Sequence, residues 1–79
     1  MIIKLSHHAV IRSIKRKIEF SEIENTILEP KRVKLKQDCI IAMKLRKNGH
    51  LLMVYYTIQS GYVIVITVIE TSKIDKYLN

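Results

Sequence analysis

Apolar and polar positions follow two periods along this chain, and the change falls at Pro30. Before it, Val10, Ile11, Ile14 and Ile18 recur at the spacing of one helix face. Residues 7–18 are therefore expected to form an amphipathic helix with Arg12, Lys15 and Arg16 outward. Ser6 reads as its N-cap, with Leu5 and Val10 spaced as a hydrophobic staple. Ser21 and Glu24 have the spacing of a capping box and open a second helix, with Ile23, Ile27 and Leu28 as its apolar stripe. Pro30 ends that helix, because it pushes the residue before it out of helical geometry.

After Pro30 the period is two. Residues 31–36 set Val33 and Leu35 against Arg32, Lys34 and Lys36, and three further β-runs follow at 39–46, 51–58 and 62–69. Residues 1–5 are short and β-leaning, an edge-strand candidate, and Thr71 or Ser72 can cap a short last helix ending near Leu78. The expected fold is α+β: two N-terminal helices packed on one face of a four-stranded antiparallel meander, with a possible short C-terminal helix. Residues 51–69 carry no charge, but Gln59-Ser60-Gly61 interrupts them and β-branched residues dominate, so two strands are expected rather than a membrane span.

Turn chemistry predicts the registers. Asn48-Gly49 reads as a two-residue type I′ loop, which pairs Arg46 with Leu51, Lys44 with Met53 and Ala42 with Tyr55. At the second turn a two-residue loop would hold Ser60 at positive φ, so a three-residue loop over 59–61 is preferred, pairing Tyr55 with Val65. Strand alternation then puts Ile41, Met43, Leu45, Leu52, Val54, Tyr56, Ile64, Ile66 and Val68 under the helices. The open face receives Ile40, Ala42, Lys44, Arg46, Met53, Tyr55, Val63, Val65, Thr67 and Ile69.

Composition narrows the function classes. Seventy-nine residues make one small domain, too short for a dinucleotide-binding or barrel enzyme. The single Cys39 excludes a disulfide framework and a thiolate zinc site. Lys4, His7 and His8 interrupt the apolar start, so no signal segment is read and a cytoplasmic setting is expected. Fourteen isoleucines and ten lysines, with two glycines and one proline, fit a thermophile or an AT-rich genome. The formal charge is +7, all of it within residues 1–50, and a polyanion is the natural partner of such a surface.

Two groups of residues carry candidate chemistry. Lys44, Arg46 and Tyr55 on an open sheet face offer cations to phosphates and a ring to a base, as RNA-binding sheets do. His7 and His8 fall at a helix N-terminus, where the dipole supports a nearby anion and a neutral imidazole. A neutral imidazole can take a proton from a ribose 2′-hydroxyl, the first step of metal-free RNA cleavage. Neither a metal nor a cofactor is called for.

Ser6-x-His8-Ala9-x-x-Arg12, then Arg16-x-Ile18, then Ser21 with Pro30 closing a second helix, resembles a widespread prokaryotic family of unknown function. The last strand, Val65-Ile66-Thr67-Val68, matches its closing strand. Where that family has a glycine before Ile18, this chain has Lys17. The family in turn resembles the RelE/BrnT-like toxins, small metal-independent ribonucleases. The resemblance implies an RNA-cleaving or RNA-binding surface and places weight on His8, Arg12 and Thr67. His8 would be the base or acid, Arg12 with Lys44 or Arg46 would stabilise phosphate charge, Thr67 would orient a phosphate oxygen, and Tyr55 would stack a base. The leading expectation is a toxin-like endoribonuclease with RNA as substrate and an antitoxin protein as partner. The alternatives are a non-catalytic nucleic-acid-binding module and an interaction domain that forms a homodimer through its sheet face.

Overall fold

In the computed structural model, which describes residues 1–78, a short strand β1 (Ile2–Leu5) turns at Ser6 into helix α1 (His7–Lys15). Ser6 is the N-cap, its Oγ accepting the Ala9 N–H at 3.0 Å. Helix α2 (Phe20–Leu28) follows, and here the expected capping box fails. Glu19 occupies the N-cap without a side-chain bond, and Ser21 lies inside the first turn. Beyond Pro30 come β2 (Arg32–Lys36), β3 (Cys39–Leu45), β4 (Leu51–Gln59), β5 (Tyr62–Thr71) and a short α3 (Ile74–Leu78). The uncharged run over 51–69 is thus two strands and a turn. No helix among the described residues is long and apolar enough to cross a membrane.

The expected four-stranded antiparallel meander is corrected. The sheet has five strands in the order β1-β5-β4-β3-β2, and β1 runs parallel to β5, with Leu5 opposite Val65. Among the described residues three helices accompany it. One core joins Ala9, Ile18, Ile23 and Ile27 to Leu52, Val54, Val63, Val65 and Val68. A second, on the other face, gathers Ile41, Met43, Leu51 and Met53 beneath Ile74, Tyr77 and Leu78 of α3. Pairing of the two chain ends depends on contacts sixty residues apart, which local pattern does not encode.

Both expected turns exchange their types. Arg46 N–H bonds to the His50 carbonyl at 2.8 Å, leaving Lys47-Asn48-Gly49 as a three-residue loop with Gly49 at φ +86°. Asn48 is not left-handed, so this is no I′ turn; its Oδ1 accepts the His50 N–H at 2.9 Å instead. At the second hairpin Gln59 pairs with Tyr62, so Ser60-Gly61 is the two-residue loop and Ser60 does take φ +51°. The first exchange slips β3 by one residue against β4, with Lys44 opposite Leu52 and Ile41 opposite Tyr55. A one-residue slip moves every side chain of a strand to the other face. Ile41 and Met43 therefore lie under α3, while Ala42, Lys44 and Arg46 turn toward α2.

A bulge opposite Tyr55 and Tyr56 adds a residue to β5. It lets Val65 and Val68 both enter the helix-side core, with Ile66 and Thr67 on the far face. The expected placement of Ile64 and Ile66 in that core, and of Val63 and Val65 outside it, is reversed.

Helix α1 presents a different side from the one expected. Ala9 and Ser13 are buried, whereas Val10, Ile11 and Ile14 are exposed. Two hydrogen bonds at its start fix its rotation: Ser6 N–H to the Val65 carbonyl at 2.9 Å, and Ser6 Oγ to the carbonyl of bulged Ile66 at 2.7 Å. With the N-cap pinned to β5, small side chains face the sheet and the apolar stripe faces away. The helix ends in a Schellman motif, Ile18 N–H to the Ser13 carbonyl and Lys17 N–H to that of Ile14, which puts Lys17 at φ +55°. A lysine there is strained and a glycine is not. Lys17→Gly is expected to stabilise the fold by about 0.5–1 kcal/mol, read as a higher urea midpoint.

Candidate nucleic-acid interface

The slip of β3 decides the fate of the expected cationic pair. Arg46 meets Glu22 in the first turn of α2 through two bonds, Nε to Oε2 at 2.8 Å and Nη2 to Oε1 at 2.9 Å. Its Nη1 donates to Glu70 on β5, and Nη2 also reaches the Lys17 carbonyl at 3.2 Å. Asn48 Nδ2 adds a bond to Glu70 at 3.1 Å, and His50 Nδ1 lies 3.6 Å from the same carboxylate. The Arg46 guanidinium holds the Glu22 carboxyl below its ordinary range. The Asn48 amide and then Arg46 do the same for Glu70, and the two carboxylates raise Arg46. Lys44 Nζ, one step along the strand, bonds Asn25 Oδ1 at 2.5 Å. The pair thus ties α2 and the end of α1 to the sheet along a cleft of about 670 Å³.

Tyr55 is on the opposite face, and so is Thr67, directly across from it. The structure brings these two together and separates them from Lys44 and Arg46. Other cations take their place. The pairing row through Tyr55 runs Lys34–Ile41–Tyr55–Thr67 across β2 to β5. In the neighbouring rows Lys36 pairs Cys39, Thr57 pairs Ile64, and Ile64 pairs Lys4 of β1. Lys4 Nζ stands 4.3 Å over the Tyr62 ring. Helix α3 covers only one end of this face, with Arg32 Nη1 donating to the Tyr77 carbonyl at 2.7 Å. Beyond it the sheet is about 19 Å across at ordinary strand spacing, with lysines at both edges and Tyr62, Thr57 and Thr67 between, and with Tyr55 half-buried at the border of the second core beside Tyr77. Burial, then Tyr77 and Cys39, push the Tyr55 phenol up, so at neutral pH it remains an O–H donor.

The β2 lysines were visible in the alternation of residues 31–36, but without a register nothing placed them beside Tyr55. Lys4 and Tyr62 depended on the parallel pairing of β1.

His8 and Arg12 sit four residues apart on α1, hence on one side of that helix. His8 is exposed and Arg12 half-buried. They lie on the helix side of the sheet, and Thr67 lies on the other, so the three are not brought together. Among the described residues no three His, Cys, Asp or Glu side chains are grouped to hold a metal ion.

No curated protein and no solved structure gives a significant match to the chain. A family model described as a domain of unknown function, DUF4258, matches residues 5–70, a span holding the Ser6–Arg12 motif, both helices of the first core and strands β2 to β4 in full. The chain belongs to the DUF4258 family.

Proposed function

We propose that this protein binds single-stranded RNA on the uncovered half of its sheet. The observation that carries the reading is the set of lysines at both edges, Lys4, Lys34 and Lys36, flanking Tyr55, Tyr62 and Thr67 on one surface. Backbone phosphates need cations, unstacked bases need flat rings, and a sheet keeps both at fixed spacing. Three lysine–phosphate contacts give log K against log salt a slope of about −2 for a single strand.

Fluorescence anisotropy with a labelled mixed-sequence RNA tests this. Wild type is expected to show that slope, and Lys34→Glu with Lys36→Glu to reduce it to about −0.7. Tyr55→Ala is expected to weaken binding about tenfold, the value of one stacked base. Salt-independent binding, or equal affinity in all variants, would sink the reading.

The resemblance to RelE/BrnT-like toxins supports a second reading, endoribonucleolytic cleavage with His8 as base or acid and Arg12 stabilising phosphate charge. Both side chains lie on one side of α1, and no hydrogen bond or ion pair to another described side chain occupies either. The same RNA incubated in EDTA distinguishes the readings. Cleavage to 2′,3′-cyclic phosphate ends, lost in His8→Ala, supports the nuclease; intact RNA with a gel shift leaves the binding module.

A further inference from the structure

A cavity of about 290 Å³ opens on the uncovered face beside Tyr55, lined by Lys36, Gln37, Asp38, Cys39, Tyr55 and Ile66. Its size is near the lower end for small-ligand sites, about 300 Å³, and suits one planar base. We propose that this cavity is a base-reading pocket selective for guanine, with Asp38 as the residue that reads the base. The proposal rests on the RNA-binding reading of the same face.

The walls supply what a flipped-out base needs. Tyr55 offers a ring and Ile66 an apolar side chain, while Lys36 in the same lining offers a cation to a neighbouring phosphate. Asp38 is the exception on a basic surface. It lies in the two-residue turn Gln37-Asp38 between paired Lys36 and Cys39, and no ion pair holds it among the described residues. The turn, with Gln37 left-handed at φ +48°, sets Asp38 in the same lining as Tyr55.

An ionised carboxylate only accepts hydrogen bonds, and it accepts two in parallel. On the Watson–Crick edge, guanine alone offers two adjacent donors, N1–H and the N2 amine. Cytosine and adenine each offer one amine donor beside a ring acceptor. Uracil sets its single N–H between two carbonyls, which the carboxylate repels. The expected order of affinity is therefore guanine, then cytosine and adenine, then uracil.

The test uses hexamers of uridine carrying one central guanosine, inosine, cytidine or adenosine, alongside uridine alone. With the whole protein, guanosine is expected to bind about tenfold tighter than adenosine, within the range for one bidentate base contact. Inosine, which lacks the N2 amine, should lose most of that gain. In Asp38→Asn the guanosine-to-adenosine ratio should fall to about one, and circular dichroism would confirm an intact fold. A wild-type preference for another base, no preference, or a guanosine preference that survives in Asp38→Asn would each overturn the proposal. Failure of every oligomer to bind, uridine alone included, would instead remove the RNA-binding reading, and the pocket with it.

Discussion

Arg46→Ala is expected to lower the unfolding free energy by about 2–3 kcal/mol, and to flatten its dependence on pH in the acid range. The side chains of Arg46 and Glu70 are 12% and 11% exposed, that of Glu22 34%. Removing one partner from a fully buried ion pair costs about 3–5 kcal/mol, because the charge left behind has neither water nor partner. Here Glu22 keeps some water, so the cost is set lower. The same cut frees the end of α1 from the sheet, since the Lys17 carbonyl loses its donor.

The pH effect has a definite sign. In the folded chain both carboxyls are held below their ordinary value of 4.5. Near that pH the unfolded chain binds more protons, so the stability they contribute is complete above it. It is lost as pH falls through the lower, folded-state values. Wild-type urea midpoints should therefore drop from pH 5 toward pH 3. In Arg46→Ala the largest cause acting on Glu22 is gone, while the Asn48 amide and then His50 still favour an ionised Glu70. Adding Glu22→Gln and Glu70→Gln to Arg46→Ala should recover part of the loss at pH 7, because it removes the stranded charges. A single variant with wild-type midpoints at every pH would show that the cluster is solvated and contributes nothing.

Ile23→Ala is expected to cost about 3 kcal/mol, and Ile14→Ala less than about 0.5 kcal/mol. Each isoleucine sits in an apolar helical stripe, and sequence pattern ranks them alike. Yet Ile23 is 0% exposed in the first core, while Ile14 on α1 is 72% exposed. Truncating Ile23 leaves a void between α2 and the sheet that rigid neighbours cannot fill. Truncating Ile14 removes little from the interior and gains helix propensity. In a domain this size, with about 4–12 kcal/mol in total, the first change is large. Urea denaturation followed by circular dichroism measures both. A comparable loss from Ile14→Ala would mean that α1 is rotated relative to the arrangement described.

Element identity was legible because it is written locally. Ser6 caps α1 as its side-chain oxygen requires, Pro30 ends α2, and the change of period after it marks four strands. The motif through His8 and Arg12 was likewise enough to point to an uncharacterised family. The faces of the sheet were not legible. β3 and β4 are apolar on both sides, so hydrophobic pattern fits either of two registers one residue apart. Turn preferences favoured one register by a small margin. The other is the one in which Arg46 reaches Glu22 and Glu70, side chains twenty-four residues away in either direction.

That single step decides which side chains share the open face. It takes Lys44 and Arg46 from the open face into the joints with α2, and leaves Tyr55 and Thr67 in one row with Lys34, across Ile41. Pairing of β1 with β5 then adds Lys4 at the far edge. The sequence by itself determined the helices, the strands, their succession along the chain and the excess of positive charge. Only the tertiary structure decided which cations share a surface with which rings, because a strand's outward side is set by its partners and a one-residue shift reverses it.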